Sequence, residues 1–374
     1  MKFSKQQVKT AVIIALAYVG AVIGAGFASG QEVLQYFVSH GIWGIPGAII
    51  ATVLFALTGM IVLQLGAKYD ANSHETVFEK IAPTWLHKFL DIGLSLTLIV
   101  VGIVMIAGAG SNLEQQFGLP VWIGSFACAA LVIIVGFMDI SKVVNVISAA
   151  TPVLLLFVFG IAIYSIVTAN TDFATVERVV QTVDSATPNW FLSTINYVAL
   201  AVMCGVSMAF VIGGDEDKPK VAGAGGFLGG LLIGLLIIAA TIALLLNISD
   251  VASEEMPLLA LIDSVHPVLG SIMSVVLFIM IFNSVLSLYY ALAARLANGK
   301  QERFKYTLIV PVVISFFVSF VGFKVLLSFF YPIVGYIGLA LIGLLLVSWY
   351  QNTKRRLTIA NDDSNDLSFS DTKV

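Results

Sequence analysis

Charge is scarce in this sequence of 374 residues. Asp, Glu, Lys and Arg together make up 11% of it, whereas apolar residues make up 59%. A soluble globular domain carries about twice that share of charge. The mean hydropathy of +0.99 excludes a disordered or fibrous chain. Only two cysteines are present, Cys128 and Cys204, both inside apolar runs, so neither a disulfide framework nor a cysteine-held metal cluster is expected. The formal net charge of −3 leaves no cationic surface for nucleic acid. A glycine-rich Walker loop is missing, and so is a His-Glu-x-x-His pair; His74-Glu75 has no second histidine at the right spacing. His40, His74, His87 and His266 are scattered in or beside loops. No span carries regularly spaced arginines, as a voltage sensor would. The chain is therefore read as a non-enzymatic membrane protein without cofactor.

What remains is apolar. About 20 such residues are needed to cross a bilayer. Ten runs qualify: about 9–38, 44–67, 88–113, 120–138, 141–168, 190–213, 221–247, 267–294, 306–323 and 325–350. Only Phe323-Lys324 separates the last two. With the N-terminus inside, 17 of the 19 Lys and Arg residues fall on the cytoplasmic side, leaving Arg178 and Lys324 outside. Both termini are thus expected to be cytoplasmic. One membrane domain, 1–350, is expected, with repeats of about 9–168 and 190–350, followed by a disordered tail over 351–374. Residues 73–87 suit an amphipathic interfacial helix. Outside, 252–265 opens with Ser253-Glu-Glu and runs on apolar, a pattern that fits a short helix or a packed loop.

Span one contains Gly20-Ala-Val-Ile-Gly24-Ala25-Gly26-Phe27-Ala-Ser29-Gly30-Gln31-Glu32. Each glycine costs up to about 1 kcal/mol of helix propensity, so four within eleven residues predict a break near mid-membrane. Broken backbone must line a cavity or be buried in protein. The same spacings also suit close helix packing, the plain use expected of Gly223 to Gly230 in span seven. In span six a small cluster, Met203-Cys204-Gly205-Val206-Ser207, predicts a second break at the matching position of the other half. Glu32 is an intramembrane carboxylate and hence a candidate coupling or gating residue. On span eight, Asn283, Ser287 and Tyr290 share a face, and oxygen ligands there suit a small cation or plain interhelical bonds.

Ten spans with breaks in one and six resemble the amino acid–polyamine–organocation superfamily, with its LeuT-type five-plus-five inverted repeat. The run from Gly20 to Glu32 resembles the signature of the YkvI-like family of bacterial membrane proteins. The resemblance covers about residues 9–350 and implies an all-α transporter fold in a bacterial cytoplasmic membrane. It implies a cation site from Gly20 and Ile23, with Asn283, Ser284 and a carbonyl near Met280 on span eight. An Asn stands there where a hydroxyl pair is usual. Span five has no lysine at its centre to replace the ion, since Lys142 lies at the edge. The implied substrate site lies between Gly24, Ala25, Gly26, Phe27 and Ser29, the span-six residues Cys204, Gly205, Val206 and Ser207, and span three from Ile103 to Gly108. Two functional readings stand. One is a secondary transporter of a small amino-acid-like solute coupled to sodium or protons. The other is a sensor or assembly scaffold on a degenerate transporter fold.

Overall fold

The computed structural model describes residues 3–137, 150–169, 172–297 and 301–370. The first part of span five, with Lys142 and Ala149, lies outside them. Among the described residues the chain is helical, without strands. Span one is α1 (Lys5–Val22), α2 (Ala25–Ser29) and α3 (Gln31–Tyr36). A 3-10 turn, Val38–Trp43, leads into α4 (Gly44–Lys68). The short α5 (His74–Ile81), α6 (Thr84–Phe117), α7 (Val121–Gly136) and α8 (Ala150–Thr168) follow. The second half holds a short α9 (Phe173–Val180), α10 (Trp190–Gly214), α11 (Pro219–Leu246), the one-turn α12 (Ile248–Val251) and α13 (Pro257–Val265). It closes with α14 (Pro267–Ala297), α15 (Gln301–Val318), a 3-10 turn and α16 (Phe323–Ser370). Seven of these segments are long and apolar enough to cross a membrane, and α7 and part of α8 are shorter apolar helices. Together with α1–α3 they match the ten expected runs in order.

Local chemistry sets the ends. Ser4 accepts from the Gln7 amide while the Gln7 side chain accepts from the Ser4 amide, a reciprocal cap that starts α1. Pro219 and Pro257 open α11 and α13, where a missing N–H costs nothing. Gly118 and Gly322 take left-handed φ values of 66° and 104°, ending α6 and separating the last two spans. The break between spans nine and ten is therefore real. Past span ten, α16 carries helical backbone to Ser370; Lys354-Arg355-Arg356-Leu357 are good helix formers.

Packing pairs the halves. In the second half α10, α11, α14, α15 and α16 take the places of α1–α3, α4, α6, α7 and α8. The partners α4 and α11 lie against each other, as do α6 and α14, while α1 packs on α11 just as α10 packs on α4. These exchanged contacts are those of a five-plus-five repeat. Glycines make the α4–α11 contact backbone to backbone. A Cβ on Gly59 would lie 2.6 Å from the Gly226 carbonyl oxygen, and one on Gly230 would strike Phe55 and Ala56. The glycine run of span seven thus serves close packing.

Candidate functional site at the span-one break

The helix ends where the glycines begin. Ile23 leaves the helical region at ψ 101° and Gly24 is fully extended. No backbone amide among the described residues closes on the carbonyls of Gly20, Ala21, Val22 or Ile23. After five residues of α2 the chain turns again at Gly30, with φ 84°. Ser29 braces that turn, donating to the Gly26 carbonyl at 2.7 Å and accepting from the Gln31 amide at 3.1 Å. The break therefore falls at Ile23–Gly24, and a second kink follows at Gly30.

Span six does not break. α10 is one helix from Trp190 to Gly214, which corrects the expected interruption at Met203–Ser207. A single glycine within Met203–Ser207 and no proline leave the hydrogen-bond ladder there intact. Gly205 serves packing instead, since a Cβ there would sit 2.8 Å from Val22 and 3.1 Å from the Ala21 carbonyl oxygen. The glycine of the intact helix thus receives the frayed end of the broken one.

Of the expected substrate residues, Ala25, Gly26, Phe27 and Ser29 are buried on α2 beside α6 and α14, where Ile103 is also buried. Gly24 is half-buried. Val206 is buried and Cys204 half-buried. Ser207 points elsewhere: its hydroxyl lies 3.1 Å from Nδ1 of His74 on α5. Of the expected cation set, Ile23 and Met280 are buried, Asn283 and Ser284 are half-buried, and Gly20 is exposed. Asn283 Oδ1 accepts from Ser287, which engages one of the oxygens assigned to the ion.

Glu32 faces the interior. Its Oε2 accepts from the Tyr197 hydroxyl at 3.0 Å, and its Oε1 lies over Gly26, where any Cβ would collide with it. The Tyr36 ring is 5.1 Å from that of Tyr197, and the Tyr36 hydroxyl donates to Asn196 Oδ1 at 3.2 Å. Asn196 in turn donates to the Pro332 carbonyl on α16 at 3.0 Å. The carboxylate's field reaches Tyr36, Tyr331 and Cys204. On the adjoining faces of α3, Gln31 and Gln35 are fully buried, and their side-chain amides have no partner among the described residues.

Two polar clusters bound this centre. On one side, Gln115 and Met256 exchange two hydrogen bonds of 2.8 and 3.0 Å, Gln116 donates to Asp263 at 2.8 Å, and Glu255 accepts from Ser111 and the Lys324 amide. These hold residues 252–265, which include the helix α13, over the kink at Gly30. On the other side, His74 Nε2 stands 3.6 Å from Asp91, which pairs with Arg295 of α14. Burial first, and then the Arg295 charge, lower the His74 pKa from 6.5 to about 4. The sequence reading missed both clusters, since their members lie far apart in the chain. It also missed Tyr197, Tyr36 and Tyr331, which read as ordinary apolar-span residues.

The described fold superposes on that of MhsT, crystallised in complex with L-phenylalanine, with a TM-score of 0.59 at 16% identity, covering 91% of this chain and 86% of that one. The inward-facing conformation of Mhp1 gives 0.56 at 13% identity, covering 92% and 77%. In sequence the chain is 25% identical to YkvI, an uncharacterized membrane protein of Bacillus subtilis (strain 168), over 89% of this chain and 94% of YkvI. The chain is similar to YkvI in sequence and has the LeuT fold of MhsT and Mhp1. YyaD of the same organism is 28% identical over 89% of this chain and 95% of its own. No family model matches the chain. Within this fold, a broken first span against an unbroken sixth is the local feature that sets this centre.

Proposed function

We propose that the protein is a secondary transporter that moves a small amino-acid-like solute by alternating access, driven by a sodium or proton gradient. The observation that carries this reading is a half-buried carboxylate, Glu32, on an interrupted membrane helix inside the bundle. A charge at that depth costs several kcal/mol and is kept where a transported species or a proton meets it. The likeness to MhsT, which holds L-phenylalanine in its crystal, is in line with an amino-acid-like solute. The solute would lie beside Gly24 to Phe27, Ser29, Cys204, Gly205, Val206 and Ile103, with access alternately blocked at the 252–265 segment and at His74. Ser207 belongs to the second of these closures. The single membrane domain would have both termini and the His74 cluster on the cytoplasmic side.

For the cation, the free carbonyls of Gly20 and Ile23 would combine with oxygens of Met280, Asn283 and Ser284. Ser284→Ala removes one ligand and leaves a good helix former. The sodium concentration for half-maximal uptake should then rise at least tenfold, which corresponds to about 1.4 kcal/mol. If wild-type uptake ignores sodium and follows the pH gradient, Glu32 is the coupling group. The unbroken α10 favours the second reading, a non-transporting sensor or scaffold. Proteoliposome uptake against a panel of amino acids and amines, under a sodium or a pH gradient, separates the two. Accumulation under either gradient supports transport, and none under both supports the scaffold.

A further inference from the structure

We infer that a groove between α1 and α4, floored by α11, is a binding site for an anionic glycerophospholipid of the surrounding bilayer. An acyl chain lies along the groove and the phosphate sits at its lysine-bearing mouth. The site is apart from the Glu32 centre and stands whether or not the chain transports.

Three observations carry it. The first is shape. α1 and α4 both pack on α11, and between them runs a groove of about 500 Å³. Its floor is one stripe of α11, where Lys220, Gly223, Ala224, Phe227 and Leu228 follow the spacing of a single helix face. At about 1.5 Å per residue that stripe rises about 12 Å from Lys220 to Leu228, enough for a phosphate and the first part of an acyl chain. The second observation is that polarity is confined to one end. Away from Lys220 the walls are Ala11 of α1, Met60 of α4, and Phe227 and Leu228. Towards Lys220 comes the Gln64 carboxamide, packed against Gly223. Val8, Phe227 and Leu228 are exposed on the outside of the bundle, where a membrane supplies acyl chains. A wholly apolar ligand would leave the polar end unmatched, and a compact ion would leave the walls bare; an amphiphile meets both. The third observation is charge. Lys220 stands at the mouth and Lys218 caps the same helix, while Lys5 lies three residues from Val8 and four from Lys9, on one side of α1. All four lysines are exposed, and no lining residue is acidic. Asp215, Glu216 and Asp217 lie in the loop before α11, and Glu216 Oε1 is turned to the Lys218 amide, which donates to it at 3.1 Å. Basic pockets between membrane helices hold anionic headgroups. A zwitterionic headgroup would bring an ammonium of its own against these lysines.

The test titrates the full-length protein, purified in detergent and stripped of lipid, and reads occupancy by native mass spectrometry. The probes are dioleoylphosphatidylglycerol, dioleoylphosphatidylcholine with the same chains, and glycerol 1-phosphate, which has the phosphate and no chains. Phosphatidylglycerol should bind at least tenfold more tightly than either of the others. Lys5→Gln with Lys220→Gln should weaken its binding at least tenfold, to the level of phosphatidylcholine. Arg303→Gln with Lys305→Gln, which removes the same charge from exposed positions on α15, should leave binding unchanged. Ala224→Phe, which fills the floor and keeps every lysine, should weaken both lipids; should that variant fail to fold, the two charge pairs decide. The proposal is overturned if the two lipids bind alike, or if glycerol 1-phosphate binds as tightly as phosphatidylglycerol. It is also overturned if the α1–α11 pair loses no more affinity than the α15 pair, which would mean diffuse attraction to the lysine-bearing end rather than a site in the groove.

Discussion

At Gly30 two constraints meet. Its φ of 84° lies in the left-handed region, where a Cβ costs about 1–2 kcal/mol, and a Cβ there would lie 2.7 Å from the Leu258 backbone nitrogen. Gly24, six residues earlier, is extended with nothing within 4 Å of its would-be Cβ. Gly30→Ala should therefore destabilise the protein by about 2 kcal/mol or more, lowering the melting temperature in detergent by several degrees. Gly24→Ala should leave it nearly unchanged. Equal melting shifts for the two variants would mean that the turn and the α13 contact do not constrain Gly30. Glu32 could be singled out from sequence because a carboxylate in an apolar run is costly wherever it points. Its donor could not: Tyr197 is 165 positions away, and a tyrosine near the end of a span is ordinary.

At the level of elements, α5 joins three others through one imidazole. His74 meets Ser207 of α10 and Asp91 of α6, with Arg295 of α14 on the far side of Asp91. Arg295, Glu75 and His87 act on it, and Asp91 stands 3.6 Å from its Nε2. Its pKa in the fold, about 4, lies below the ordinary 6.5. Between those values the unfolded chain binds a proton that the folded chain refuses. The stability this contributes is therefore complete above about pH 6.5 and declines as pH falls toward 4. Acidification from pH 7 to 5 should raise amide hydrogen exchange in α5 and near Ser207, and His74→Asn should remove that pH dependence. Unchanged exchange in the wild type across this range would show that His74 does not hold α5 to α10.

The spans themselves were legible, because a 20-residue apolar run leaves few alternatives. So was the break in span one, where four glycines weaken the same turns. The break assigned to span six rested on position in the repeat, and position does not weaken a helix. Only Gly205 does, and its lost propensity is offset by the contact with Val22 and the Ala21 carbonyl. The short outer helix was half legible: its Ser-Glu-Glu start was visible, yet the helix begins later, at Pro257.

For the molecule as a whole, the 252–265 segment is tied to α6 by side chains that can be exchanged for a covalent link. With Cys128 and Cys204 replaced, Gln116→Cys with Asp263→Cys should be bridged by a short bis-methanethiosulfonate linker, since the native side chains span the gap with a 2.8 Å hydrogen bond. Uptake should stop on cross-linking and return on reduction. Transport that continues with the link formed, verified on a gel, would show that this segment need not move.

The glycine seam between α4 and α11 has a mechanical corollary. Side chains that interlock can slip past one another by changing rotamer, but bare backbone has no such freedom. The two helices therefore turn together as a single stiff lever, and α1 and α10, seated on them, are carried along. Displacement of that lever must be absorbed where the chain is already unwound, at Ile23–Gly24 and at Gly30. Span one is thus both the floor of the proposed solute site and its hinge, so a solute that stiffened one would load the other.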